Sequence, residues 1–379
     1  MMNATRKSGR ENIITPKKRT FFDVSVFFVK KLQYEYQIPL RIWYCYYRGK
    51  ENANGGCGKF MKRLTAIILV VLLSAAISGC KQADTPQNGK IDIICTIFPQ
   101  YDWVRQILGD RINDISLTLL ANNRIDLHNY QPSVEDILKI SNCDLFIYVG
   151  GESDQWIEDV LGQAKNKNMT VINLLDILGT SAKEEELIEG MEDDGDDDDE
   201  TAYDEHVWLS LKNARKFCAA IESALCFLDS ENADKYKNNL SAYDEKLSVL
   251  DIQYKAAADA APLKTLLFGD RFPFRYLTED YNLDYYAAFP GCSAETEASF
   301  DTIIFLANKM DELNLRAVMV TESADQSIAK TIINNTADRN RQILVLDAMQ
   351  SVTSEDIKNE TTYLSIMENN LSVLKEALR

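Results

Sequence analysis

The sequence predicts an α/β protein of two Rossmann-like βα lobes joined by one long helix. Three observations predict it. Short β-branched runs alternate with helical patterns from residue 91 to residue 174, the signature of βαβ units and a parallel sheet. The same alternation restarts after Pro262. Between them, residues 231–261 hold neither proline nor glycine and repeat apolar positions at Leu240, Tyr243, Leu247, Leu250 and Tyr254, the spacing of a helix.

In chain order, residues 91–96 form the first strand, 101–108 an amphipathic helix, 114–120 a second strand and 133–140 a helix. Strands at 144–149 and 170–174 flank a helix at 156–164. Residues 183–205 are acidic and of low complexity, with Glu192–Glu200 almost wholly Asp and Glu. Such a block repels itself and cannot bury a core, so a mobile surface loop is expected. A helix at 212–228 precedes the linking helix of 230–261, which would run roughly 45 Å. The second lobe then reads strand (265–268), helix (276–281), strand (283–287), helix (300–313), strand (316–320), helix (327–335), strand (343–346) and a last helix at 362–378. The lobes are 91–229 and 262–379. Ligand sites in open α/β sheets lie beyond the carboxyl ends of strands, so facing lobes place a site in the cleft between them.

The first 90 residues read differently. Met61-Lys62-Arg63, an apolar run and Ile77-Ser78-Gly79-Cys80 resemble a bacterial lipoprotein signal peptide over 61–80, with Cys80 the lipidated residue. The apolar run is too short for a comfortable transmembrane helix. Residues 81–90 are a polar tether. Residues 1–60, basic and aromatic, are expected to be an upstream or non-native extension. The whole chain carries a net charge of −17, but beyond Cys80 27 basic residues face 54 acidic ones, a net of −27. Such a surface repels nucleic acid and attracts cations. The eight cysteines form no CxxC pair, which indicates neither a zinc ribbon nor a disulfide scaffold. Cys95, Cys143 and Cys218 sit in apolar runs and read as core.

The chemistry centres on the two histidines. His128 stands in Asp126-Leu127-His128-Asn129-Tyr130-Gln131-Pro132-Ser133, and His206 in Asp204-Glu205-His206-Val207-Trp208-Leu209-Ser210. Both lie in loops, with an acid one or two places before and an aromatic two after. Imidazole binds zinc and manganese-class metals alike, and a carboxylate partner orients it.

These two segments resemble motifs of the zinc/manganese ABC-transporter substrate-binding lipoprotein family, Asp-x-His-x-Tyr-x-Pro-Ser and Asp-Pro-His-x-Trp-Leu-Ser, with Glu205 replacing the usual proline. Tyr148-Val149-Gly150-Gly151-Glu152 and Trp156 resemble a third family segment in altered form. The resemblance spans residues 91–379. It implies a rigid linking helix and a metal site in the inter-lobe cleft, with His128 and His206 from the first lobe and Asp347, in Leu346-Asp347-Ala348, from the second. It also implies a supporting role for Glu322, in Val320-Thr321-Glu322-Ser323. The family's third histidine is expected near Leu267-Phe268-Gly269-Asp270, where Gly269 takes its place. Asp270, Glu295 or water are the substitutes.

The implied function is an extracytoplasmic receptor, anchored to the membrane by lipid on Cys80. It binds zinc, or manganese, and delivers it as a monomer to the permease of an ABC importer. The alternatives are a lipid-anchored metallohydrolase and an adhesion or structural lipoprotein without metal. The chain has no HExxH, GxSxG or phosphate-binding glycine loop, and no enzyme is expected.

Overall fold

The structure, a computed structural model, describes residues 90–122, 127–192, 202–293 and 297–379. The expected extension, signal peptide, Cys80, all of the tether but Lys90, Asp126 and Glu295 lie outside the described residues. Those described belong to one compact unit, Asn88–Arg379. Among them no helix is long and apolar enough to cross a membrane.

Two four-stranded sheets, parallel throughout, form the two lobes. The first has the order β2-β1-β3-β4, with β1 (Asp92–Cys95), β2 (Ser116–Leu119), β3 (Leu145–Tyr148) and β4 (Thr170–Asn173). The second has the order β6-β5-β7-β8, with β5 (Thr265–Phe272), β6 (Asp284–Pro290), β7 (Ala317–Val320) and β8 (Gln342–Val345). Inner strands are covered on both faces, which is why β3 and β7 read as unbroken apolar runs rather than as alternation. The helices of the first lobe are α1 (Phe98–Leu108), α2 (Val134–Asn142), α3 (Trp156–Gly162), α4 (Leu174–Leu178) and α5 (Leu211–Leu228). Those of the second are α7 (Arg275–Tyr281), α8 (Phe300–Glu312), α9 (Ser327–Asn334), α10 (Ser354–Lys358) and α11 (Tyr363–Ala377).

The linking helix α6 spans Ala233–Ala260. It starts later than expected because the chain breaks at Asp229. That carboxylate accepts from Asn232 and from the Tyr236 hydroxyl at 2.7 Å, and a short 3₁₀ turn follows at Ser230–Asn232. Tyr236, Tyr243, Leu247, Leu250 and Tyr254 of α6 are buried. They belong to one core that runs through both lobes, from Trp103 and Phe217 to Phe268 and Leu346. The C-terminal helix closes this core on the first lobe: the Tyr363 amide donates to Asp102 at 2.9 Å, its hydroxyl donates to the Trp208 carbonyl at 2.7 Å, and its ring meets Trp103 edge-on at 5.2 Å.

Two further expectations change. Strands β5 and β6 run further than read from the sequence. After a register shift between Phe268 and Arg271, Arg271 pairs with Phe289 and Phe272 with Pro290, and the Phe272 and Tyr285 rings stack at 3.6 Å. The acidic segment 183–205 is not wholly a surface loop. Glu184 and Tyr203 form an antiparallel bridge, Lys183 receives the Asp204 amide at 2.8 Å, and the Glu192 amide donates to the Ala288 carbonyl at 2.9 Å. Backbone that passes beside a core must find partners, and this stem finds them in itself and on β6. Residues 193–201, the middle of the acidic run, lie outside the described residues.

Candidate metal centre

His128 sits in a 3₁₀ turn, Leu127–Asn129, beyond the carboxyl end of β2. The rest of its motif is scaffold. Tyr130 packs on Trp156 with ring centroids 6.0 Å apart, and Ser133 caps α2 in a capping box with Asp136, worth about 1 kcal/mol. His128 Nδ1 lies 2.8 Å from Ser153 Oγ and 3.6 Å from Glu205 Oε2. These oxygens favour a proton on Nδ1, which directs the lone pair of Nε2 into the cleft.

His206 is fully buried. Its Nδ1 lies 3.0 Å from Asp204 Oδ1, which also accepts the His206 amide at 2.8 Å. A proton on Nδ1 directed at this carboxylate would leave the lone pair of Nε2 facing the cleft. The two Nε2 atoms face each other at 3.2 Å. Glu205, which replaces the family's proline, fills a buried position: Oε1 accepts the Ser153 amide at 2.9 Å, and Oε2 is the atom beside His128. The glycine pair of the preceding turn makes room for it. Gly150 and Gly151 have φ of 92° and 85°, and a Cβ at Gly151 would come within 2.4 Å of Glu205 Oε1.

The second lobe closes the site with residues the sequence did not single out. The longer β6 delivers Gly291 and Cys292 to the histidines. The place where a Cβ on Gly291 would sit is 3.1 Å from the His206 ring, and the Cys292 amide donates to Glu185 Oε1 at 2.8 Å. Ligand atoms of His128, His206 and Cys292 all lie within 4.8 Å of one another. Gln350 reaches the same place, its Nε2 3.2 Å from His206 Nε2. Glu322 holds that loop, accepting from the amides of Ala348 and Gln350 at 2.8 Å and of Ser351 at 3.2 Å.

The other expected ligands, Asp347 and Asp270, are not among these grouped donors. Asp347 Oδ1 accepts the Met349 amide at 2.7 Å, and Asn370 brackets its backbone, so in this structure it shapes the turn that carries Gln350. Asp270 Oδ2 accepts both the amide and the hydroxyl of Thr321. Gly269 is not a vacated ligand position. A Cβ there would lie 2.8 Å from Ala329 Cα of α9 and 3.0 Å from Val318, so it faces the interior of its own lobe. Glu295 lies outside the described residues.

The electrostatics fit a cation. Burial alone pushes the His206 pKa down, but the hydrogen bond and charge of Asp204, with Glu205 and Glu185, outweigh it and the net direction is up. Burial lifts the Glu205 carboxyl and lifts Asp154 to about 7, helped by the charge of Glu205. Burial and then the charge of Glu322 lift Asp347 to about 7. The Cys292 thiol is pushed well up by burial, then by Glu185, Asp204 and Glu205. Burial holds these acids towards their neutral forms, and a divalent ion beside them would favour the charged forms instead.

The profile of the zinc-uptake complex component A periplasmic (ZnuA) family matches residues 93–377. The chain belongs to this family. A zinc-binding lipoprotein AdcA of Streptococcus pneumoniae is 30% identical over 319 residues, 83% of this chain and 61% of the relative. A high-affinity zinc uptake system protein ZnuA of Bacillus subtilis is 25% identical over 325 residues, 84% of this chain and 98% of the relative. The crystal structure of the Zn(II)-bound ZnuA-like domain of Streptococcus pneumoniae AdcA superposes with a TM-score of 0.60 at 27% identity, covering 76% of this chain and 99% of that domain. The chain thus spans about three fifths of the length of the streptococcal AdcA relative.

Within this ZnuA-family chain, the histidine motifs were legible as sequence. Cys292 and Gln350 were not, since each follows a strand end of the second lobe with no local pattern. A cysteine outside any apolar run was the one available signal.

Proposed function

We propose that this chain is a zinc receptor of an ABC importer. It holds the ion between its lobes on His128 and His206 and presents it to the importer's permease, while lipid on Cys80 keeps it at the outer face of the membrane. The observation that carries the reading is the pair of Nε2 atoms facing each other at 3.2 Å, each ring backed by an oxygen at its other nitrogen. Two nitrogens at zinc-bond length, about 2.0–2.1 Å each and at a tetrahedral angle, stand about 3.4 Å apart. The rings already have this spacing, so little reorganisation accompanies binding. The family to which the chain belongs, and zinc in the names of the relatives matched, support zinc as the cargo and a receptor rather than an enzyme as the class.

The test is isothermal titration of the full chain, purified free of metal, with zinc and with manganese. The unmodified chain is expected to take one zinc ion and to prefer it to manganese. His206→Ala is expected to lose at least about a hundredfold in zinc affinity, more than 2.7 kcal/mol. Parent-like zinc binding by His206→Ala sinks the site.

A further inference from the structure

We propose that Cys292 is the third protein ligand of the site, binding as a thiolate, and that it is what selects zinc-like soft ions against manganese. This rests on the receptor reading and assigns the ligand that the expected carboxylates do not supply.

Three observations carry it. The Cys292 sulfur lies in one group with the two imidazole nitrogens, every donor within 4.8 Å of the others. With bonds of about 2.3 Å to sulfur and 2.0–2.1 Å to nitrogen, tetrahedral zinc sets sulfur and nitrogen about 3.6 Å apart, so a small inward movement of one side chain completes the geometry.

The backbone holds the cysteine at this place. The prolonged pairing of β5 with β6 ends at Pro290, Gly291 lies against the His206 ring, and Glu185 of the acidic stem receives the Cys292 amide. The other described cysteines are placed differently. Cys95, Cys143 and Cys218 are buried core residues, and Cys226 donates to Glu222 on α5.

The third observation is what stands elsewhere. Asp347 and Asp270, the carboxylates that would make the shell oxygen-rich, are not in that group of donors, and each gives one oxygen to a neighbour, Asp347 to the Met349 amide and Asp270 to Thr321. Two imidazoles and a thiolate suit zinc and cadmium, whereas manganese favours oxygen. On binding, a sulfur–metal bond replaces the S–H bond and the proton leaves to solvent. No oxidation is involved.

Cobalt(II) is the probe, because a thiolate bound to it gives an intense sulfur-to-metal charge-transfer band in the near ultraviolet. The full chain titrated with cobalt is expected to show that band, and zinc is expected to abolish it. Cys292→Ser is expected to lose the band. It should also lose at least about tenfold in zinc affinity, about 1.4 kcal/mol, and distinctly less in manganese affinity, so that the zinc-to-manganese preference narrows. A cobalt complex of the unmodified chain without the band overturns the proposal and leaves the histidine site standing. No cobalt or zinc binding by the unmodified chain overturns both. Since the band is read on the unmodified chain, the result does not depend on how the variant folds. For the variant, an unchanged circular dichroism melt with retained zinc preference also overturns it.

Discussion

At the scale of the residue, the site is set by what backs each donor. Asp204 and Ser153 each place an oxygen at the Nδ1 of one ring, and Glu205 puts a buried acid 3.6 Å from His128. Gly269 shows the opposite case, a residue whose chemistry is wholly steric. The motif comparison made it an absent histidine. The structure makes it a point of close approach between α9 and β5, with Ala329 Cα 2.8 Å from the space a Cβ would fill. Gly269→Ala is therefore expected to destabilise the chain by roughly 1–3 kcal/mol through overpacking, read from the urea midpoint, while zinc affinity stays the same. A fall in affinity with unchanged stability would restore position 269 to the site.

At the scale of the element, helices α5 and α6 are clamped by a forked ion pair. Arg215 Nε donates to Asp244 Oδ1 at 2.6 Å and Nη2 to Oδ2 at 2.9 Å. The Arg215 hydrogen bonds and charge hold the Asp244 carboxyl below its usual range, against a smaller opposing effect of burial. A carboxyl whose pKa is lowered on folding adds stability above its unfolded pKa, about 3.9, and loses it as the pH falls through the lower folded value. Both side chains are partly exposed, so the pair is worth at most about 1 kcal/mol. Denaturation of Asp244→Asn is expected to lie below the parent at pH 7, with the gap closing once the pH falls through the carboxylate range. A gap independent of pH would assign the effect to packing. The helices themselves were legible in the sequence, because apolar spacing is local. The stem of the acidic segment was not. Its pairing of Glu184 with Tyr203 and its bond to β6 join residues whose composition marks them as solvent-facing.

At the scale of the whole molecule, the two lobes share one core through α6 and α11, and the donors come from both sides of the cleft. On the proposed receptor reading, cargo bound between lobes would suit a protein held beside a permease, where it would hand over one ion and return for another. The anchor proposed on Cys80 belongs to this scale. Replacing Cys80 with alanine is expected to move the chain from the membrane fraction to the soluble fraction on cell fractionation. Retention in the membrane by the Cys80→Ala chain would count against lipid on that residue.

By itself the sequence determined the alternation of strands and helices, the long helix free of proline and glycine, and the two histidine motifs with their family. Each of these is written in neighbouring residues, through side-chain periodicity or contiguous spacing. Tertiary structure alone decided which donors meet. The prolonged β5–β6 register brings Cys292 to His206 across 86 positions of chain, Glu322 sets the Gln350 loop, and α9 closes over Gly269. Those relations depend on strand register and packing between distant segments, which no local pattern encodes.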